Sequence, residues 1–298
     1  MWGRAPVSPQ SSDVTAVVVT YDSAHVLPSC LAALKREGVG VLVVDNASTD
    51  GTLELAERSG ARVIRNARNE GFGRAMNIGV RAAGTPFCLL TNPDLVYDEG
   101  AVAALLAAAD RWPDAGLLAP RIIEPDGRFF YQATSLLAPY LQNTGGKLAL
   151  PEGDCCAPFL SGASLLVRTE LFLQLGGFDE AIFLFYEDDD LCRRMADAGL
   201  ALVHVHDALA RHARGASTAR KRGRVFKARW HMAWSRAYVS RKYGLRDPAR
   251  GTLAVNLPKT LLGALVLRRS LVERYGGSAA GALAWMRGET ALKREGLE

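Results

Sequence analysis

From Val14 onward the apolar residues fall in short blocks separated by stretches of helical spacing. VTAVVVT is followed by a helix predicted near Pro28 to Arg36, then VGVLVVD, a helix opened by Ser48-Thr49-Asp50, and the strand ARVIRN. Blocks that are apolar on both faces and alternate with helices predict parallel strands covered by helices. Val17 to Val19 and Val41 to Val44 would be the central strands. A helix over Arg74 to Ala83, a strand from Phe87 that ends at Thr91 and a helix through Ala101 to Ala109 continue the alternation. After Leu117 the pattern breaks into short strands, aromatic residues and an irregular tract from Ser135 to Pro158. Gly162 to Val167 and Leu200 to His206 read as strands. Between them a helix starts at Glu187 or Asp188 and ends at Gly199, with Leu191, Met195 and Ala198 toward the core. From Arg224 the chain is helical, and Phe226, Trp230, Trp234 and Tyr238, four residues apart, share a face and read as packing residues.

The chain has 298 residues, 49% of them hydrophobic, enough to bury a full core in one large or two modest domains. There is no internal repeat. Met1 to Ser12 carries Arg4, two prolines and no apolar block, unlike a secretory signal. Leu253 to Leu267 is interrupted by Asn256, Pro258 and Lys259, too short and broken to span a bilayer. Five cysteines without C-x-x-C spacing argue against a zinc site or a disulfide framework and favour a reducing cytoplasm.

Candidate chemistry lies first in FLFYEDDDLCRR, Phe183 to Arg194, where Glu187 to Asp190 separate an aromatic run from a helix. Acids in a first helical turn suit the positive end of the helix dipole, and the same placement can hold a general base beside a metal-bound diphosphate. About ninety residues earlier, the strand Phe87 to Leu90 runs into Asn92-Pro93-Asp94. Proline ends the strand, and a carboxylate there stands over the carboxyl edge of an open sheet, where α/β proteins bind ligands. Asp45, closing VLVVD, projects at the same edge with Asn46 and can accept the imide N–H of a pyrimidine. Asp94 can hold a divalent cation through oxygen, and His212 in RHARGAS can complete the shell. His204 and His206 alternate on a strand without a third zinc ligand and read as structural.

NEGFGRAMNIG, Asn69 to Gly79, places Met76 where a dinucleotide fingerprint needs its third glycine, so glycines that admit a backbone to a sugar face explain it better. The net charge of +5 is concentrated: Arg211 to Arg250 holds thirteen Lys or Arg against the single acid Asp247. Such a block fits a phosphate-binding wall, a membrane-facing surface or a solvated helix, whereas nucleic acid is not expected because no binding module accompanies it. Leu261 to Leu267 with Arg268 and Arg269 can form an interfacial helix or core packing.

Taken in order, VVVTYDS, VVDNASTDGT, NEGFGRAMNIG, TNPD, SGASLLVR, GGFDE, FYEDDDLCRR and HARGAS resemble the family-two inverting glycosyltransferases of the GT-A fold, within them the rhamnosyltransferase-like subgroup. The resemblance runs from about Val14 to Gly244. It implies a Rossmann-like, mostly parallel α/β sheet flanked by helices, with a helical C-terminal extension. The implied organisation is a flexible leader over 1–13, a catalytic domain over 14–222 with a nucleotide-binding half to about 120 and an acceptor half beyond it, and a helical region over 223–298.

By that resemblance Asp188 is the catalytic base and Glu187 its neighbour in an acid pair. Donor contacts fall to Thr20, Tyr21, Asp45, Asn69, Gly71, Asn77, Asn92, Asp94 and Arg214. Metal (Mg2+ or Mn2+) falls to Asp94 and His212, and acceptor contacts to Gly162, Ala163, Glu187 and Asp190. The sequence departs from the family pattern at Asn92, in place of the first acid of a DxD, and at Asp22 and Asp189. Three consecutive aspartates offer three candidates for the base, and register after Glu187 favours Asp188. The activity implied is inverting transfer of rhamnose or a hexose from a dTDP- or UDP-sugar to a glycan or polyprenyl-linked acceptor, in the cytoplasm or at the inner face of the cell membrane, with a homodimer left open. The rival readings are a sugar-phosphate nucleotidyltransferase, for which VVVTYDSAHVLP lacks the glycine-rich loop and lysine, and an inactive carbohydrate-binding scaffold.

Overall fold

The computed structural model describes residues 8–132, 135–137, 150–213, 217–218 and 223–298. The chain divides into two compact units. The first takes the described residues of Met1–Asn69, Ala75–Gly177 and Leu191–Ala219; the second takes Glu70–Arg74, Phe178–Asp190 and those of Arg220–Glu298.

The first unit is built on one ten-stranded sheet. A 3-10 turn, Ser11–Asp13, leads into β1 (Val14–Thr20), and the expected alternation follows as α1 (Leu27–Arg36), β2 (Gly40–Asp45), α2 (Thr52–Arg58) and β3 (Arg62–Arg65). Helix α3 (Phe72–Ala83), whose first residues belong to the second unit, precedes β4 (Phe87–Thr91), β5 (Leu95–Tyr97), α4 (Ala101–Arg111), β6 (Ala115–Ile123) and β7 (Phe129–Phe130). Then come β8 (Cys155–Cys156), β9 (Ser164–Arg168), α5 (Thr169–Gln174), α6 (Glu187–Asp197) and β10 (Ala201–His212). The strand order is β3-β2-β1-β4-β9-β6-β10-β5, with β7 on β6 and β8 on β10.

Strands β3, β2, β1 and β4 are mutually parallel, as their two-sided apolar pattern requires. Strand β9 then runs antiparallel to both β4 and β6, so the second half of the sheet is mixed. Because β2 and β4 flank β1 on opposite sides, the strand order reverses at β1, and the carboxyl ends of β1 and β4 mark a topological switch point. The strand expected to end at His206 continues to His212, past a register shift between Val205 and Leu209. His204 is buried and neutral: burial, then the charge of His206, lowers its pKa to about 4, and Phe129 packs on its ring with centroids 5.0 Å apart.

Two glycines of NEGFGRAMNIG allow close approach of neighbouring elements. A Cβ on Gly79 would lie 2.2 Å from Val17 Cγ1, so this glycine lets α3 sit against β1. A Cβ on Gly71 would lie 2.6 Å from the carbonyl oxygen of Phe183, which accepts a hydrogen bond from Phe72 N. Both make room for the protein's own atoms, because close backbone approach is needed inside the fold itself. On α6, Leu191 and Met195 are buried as expected, but Ala198 is exposed and Cys192 takes the inner position, because the helix ends at Asp197 and Gly199 turns the chain.

In the second unit, α7 (Arg224–Lys242), α8 (Ala249–Leu265), α9 (Arg269–Met286) and α10 (Ala291–Arg294) form a helical assembly. The aromatic row of α7 packs as its four-residue spacing predicts: Trp234 stacks on Tyr238 at 5.3 Å and meets Trp285 edge-on at 5.6 Å. Two of the buried indoles are satisfied, Trp234 Nε1 donating to Glu289 O at 2.7 Å and Trp285 Nε1 to Asp247 Oδ2 at 2.9 Å.

Glu295 ties the end of this unit to α7 through His231 and Lys227. Burial alone would raise its pKa, but hydrogen bonds from His231 and Lys227 outweigh that and hold it at about 2. A carboxyl depressed from 4.5 adds stability that is present above the unfolded value and lost as pH falls through about 2. Glu295→Gln is therefore expected to cost about 2 kcal/mol at pH 7. Urea unfolding should show that gap narrowing as the buffer is taken from pH 4.5 toward pH 2.

Candidate active site

The functional groups fall into two sets, one on each unit. On the first unit, β1 and β2 end side by side, pairing Thr20 with Asp45. Asp45 is buried, and Thr20 Oγ1 donates to its Oδ1 at 2.9 Å. Ser48 donates its hydroxyl to the same oxygen at 2.5 Å and its backbone N–H to Oδ2 at 3.0 Å. A carboxylate offers about four acceptor positions, so these three bonds fix Asp45 while one position on Oδ2 stays open among the described residues, enough for one nucleobase N–H. Asp22, in the left-handed region at φ +51°, organises the adjoining loop: its Oδ1 accepts from Thr49 N at 2.9 Å, and its own N–H donates to Ser48 Oγ at 2.9 Å.

On the other side of β1, β4 ends at Thr91 and delivers Asn92-Pro93-Asp94 to the same edge. Asn92 N donates to Ala163 O at 2.9 Å, which closes the turn against the residue before β9. Asp94 is 3% exposed. Its Oδ1 accepts from Ser217 Oγ at 2.6 Å and lies 3.3 Å from His212 Nε2, while Oδ2 is buried with no hydrogen-bond partner among the described residues. His212 stands at the end of β10, whose pairing with Leu95 of β5 brings it beside Asp94. Burial would raise the Asp94 pKa, but His212 and Ser217 outweigh it and hold the carboxyl below its usual value. An ionised, buried carboxylate oxygen without a donor, next to an imidazole nitrogen, offers two ligands to a divalent cation, and no third His, Cys, Asp or Glu joins them among the described residues.

On the second unit, Phe185 and Tyr186 both take left-handed backbone at φ +68° and turn the aromatic run into α6. The four acids that open α6 differ in environment. Asp190 is fully buried, accepting from Tyr243 Oη at 2.8 Å and Lys242 Nζ at 2.6 Å, which holds α6 to α7. Glu187 is buried with Oε2 lacking a hydrogen-bond partner among the described residues. Burial, then the charge of Asp188, raises its pKa well above the ordinary value, so Glu187 holds its proton more tightly than a free glutamate. Asp189 is buried as well, whereas Asp188 is half-buried and accepts from Asp189 N at 3.1 Å. Asp188 is thus the least buried acid of the run.

Of the residues singled out from sequence, Thr20, Asp45, Asn92, Asp94 and His212 are brought to one sheet edge. Tyr21 follows β1 there, and its N–H donates to Ser23 Oγ at 3.1 Å. Asn77 is instead buried on α3, facing Gly177, where a Cβ would meet its Oδ1 at 2.4 Å. Asn69 and Gly162 are on loops, Ala163 is buried, and Arg214 lies outside the described residues. The basic block is not one open wall: Arg211 pairs with Asp98, Lys227 with Glu295 and Lys242 with Asp179. Sequence reasoning missed Ser48 and Ser217, although both sit in quoted motifs, because hydroxyls carry no signal until their acceptors are known. Ser23 was missed too; its Oγ donates to Ser217 O at 2.6 Å.

A parallel half-sheet with buried carboxylates at its switch point defines a nucleotide-binding α/β protein of the GT-A kind. The profile of Glycosyl transferase family 2 matches residues 15–176, and the chain belongs to that family. It is 35% identical, over 87% of its length and 96% of the relative's, to N-acetylglucosaminyl-diphospho-decaprenol L-rhamnosyltransferase of Mycobacterium tuberculosis (strain ATCC 25618 / H37Rv). It is 29% identical to the dTDP-rhamnosyl transferase RfbF of Shigella flexneri, over 65% of this chain and 67% of that one. In fold it is similar to the mannosyltransferase PcManGT from Pyrobaculum calidifontis in complex with GDP-Man and Mn2+, with a TM-score of 0.55 at 18% identity over 96% of this chain and 91% of that one. Residues 1–349 of S. aureus TarS in complex with UDP give a TM-score of 0.55 at 16% identity, over 93% and 92%. The chain is a glycosyltransferase, which sets aside the nucleotidyltransferase reading.

Proposed function

We propose that this glycosyltransferase moves L-rhamnose from dTDP-rhamnose to a hydroxyl of a polyprenyl-diphosphate-linked sugar, with inversion at the anomeric carbon. The substrates are suggested by the relatives' names, dTDP-rhamnose in one and a decaprenyl-diphosphate N-acetylglucosamine in the other. The observation that carries the chemistry is Asp94, a buried, ionised carboxylate with one unpartnered oxygen at the carboxyl end of β4.

In this reading Asp45 accepts the imide N–H of thymine, and Thr20 and Ser48 keep its carboxylate in place. Asp94 and His212 hold Mg2+ or Mn2+, with Asn92 beside them on the donor side. A bound divalent ion supplies positive charge that stabilises the departing nucleoside diphosphate. Asp188 takes the proton of the acceptor hydroxyl as its oxygen bonds to the anomeric carbon and the bond to the diphosphate breaks. A hydroxyl proton is too weakly acidic to leave unaided, so a positioned carboxylate is worth roughly 100- to 10,000-fold. Glu187, its pKa raised by burial and by the charge of Asp188, gives up its proton less readily and so limits the negative charge beside Asp188. Gly162 and Ala163 are proposed to border the acceptor.

The test is nucleotide release. dTDP should appear from dTDP-rhamnose only when a polyprenyl-diphosphate N-acetylglucosamine analogue is present, and dTDP with manganese should raise the unfolding midpoint more than UDP with manganese. Faster release from UDP-hexoses would overturn the donor assignment while leaving the reaction class standing.

A further inference from the structure

We propose that the corner between α8 and α9 is a docking site for an anionic phospholipid surface, seated by leucines and held by lysine and arginine. Of the twelve large hydrophobic residues exposed among the described residues, seven fall between Val255 and Leu267, and the other five are scattered along the chain. Leu261, Leu265 and Leu267 are 63%, 81% and 92% exposed. An apolar cluster of this kind on a folded protein marks an interaction surface.

The packing of the helices explains why the face is open. Helix α8 turns Gly263 toward α9, where a Cβ would meet Leu271 Cβ at 2.8 Å, and its Thr260 lies near Gly276. On its other side α9 meets α7 through Gly277 and Gly281, where a Cβ would come within 2.4 Å of Phe226 O and 2.2 Å of Trp230 O. Helix α9 is thus the middle layer. Its small residues draw both neighbours in, and α8 is left with one packed side and one apolar side facing out. The turn repeats that choice. Leu267 N donates to Ala264 O at 3.1 Å and Arg268 N to Gly263 O at 2.8 Å, a helix stop whose left-handed residue is usually glycine. Here it is Leu267 at φ +52°, so a strained position displays a large apolar side chain instead of none.

Charge selects the occupant. From Pro248 to Val272 there is no acidic residue, while Arg250, Lys259, Arg268 and Arg269 are basic. Glu273, just beyond, is paired with Arg269 at 2.7 Å. Lys259 Nζ lies over Tyr275, 5.3 Å from the ring centroid, an aromatic suited to the headgroup level. A second copy of this face would bring like charges together, whereas an anionic bilayer offers hydrocarbon to the leucines and phosphates to the cations. Among the described residues no helix is long and apolar enough to cross a membrane, so the contact is interfacial. This inference does not depend on the identity of the sugar or the acceptor.

The experiment is flotation of the full chain with vesicles of phosphatidylglycerol and phosphatidylcholine, or of phosphatidylcholine alone. The expected result is binding to the anionic vesicles that weakens with salt. Leu265→Glu with Leu267→Glu should lower it tenfold or more, and Lys259→Gln with Arg268→Gln about fivefold for each charge removed. Both pairs are at the surface, and an unchanged unfolding midpoint would confirm that they fold. Absence of flotation, equal binding to neutral vesicles, or undiminished binding by the glutamate variant would overturn the proposal. So would a dimer in sedimentation velocity that the glutamate variant dissociates. Transfer to a short, water-soluble acceptor should be the same in all variants, so failure here is distinguishable from failure of the glycosyl-transfer reading.

Discussion

Asp188→Asn is expected to lower turnover by about 100- to 10,000-fold while leaving the unfolding midpoint and the affinity for nucleoside diphosphate close to those of the native chain. Asparagine keeps the shape of the side chain and can still accept the hydrogen bond from Asp189 N, now 3.1 Å long, so the first turn of α6 stays intact. It cannot take a proton. The neighbours cannot substitute: Asp190 is bound by Tyr243 and Lys242, Asp189 is buried, and Glu187 is held toward its protonated form by burial. The measurement is single-turnover release of nucleoside diphosphate in the presence of acceptor. Undiminished release would move the base elsewhere and leave Asp188 as a helix-capping acid.

Asp94→Asn should reduce turnover by about 100-fold or more and remove the extra stabilisation that manganese gives to nucleotide binding. The amide oxygen can keep the 2.6 Å bond from Ser217, so the loop after β10 retains its anchor, but the negative charge opposite His212 is gone. Because His212 and Ser217 hold the native carboxyl below its ordinary value of 3.8, Asp94 stays ionised through the neutral and mildly acid range, so its loss in the variant should be felt across that range. Thermal shifts with dTDP, with and without manganese, compare the two proteins directly. A variant that still responds to manganese would show that Asp94 is not a ligand.

The two predictions differ in how far the sequence alone could reach them. Asp94 was legible because a buried strand followed by Asn-Pro-Asp has one reading on a parallel sheet: the acid must emerge at the carboxyl edge. Asp45 was legible for the same reason, and both lie where expected. The acid run was visible but not resolved, since four consecutive acids look alike until their neighbours are known. Only packing separates an aspartate clasped by Tyr243 and Lys242 from a desolvated glutamate and a half-buried aspartate. The hydroxyls that orient the site, Ser48 and Ser217, left no trace because serine is common at turns of every kind.

Local periodicity determined which segments became strands and helices, which carboxylates crown the parallel strands, and that the aromatic row of α7 turns inward, because side-chain spacing along a helix or strand dictates which residues share a face. What the glycines of α3 make room for, which acid of α6 stays accessible, and which leucines of α8 remain outside were decided by tertiary structure. Each of those depends on which distant atoms arrive alongside, and no local pattern encodes that.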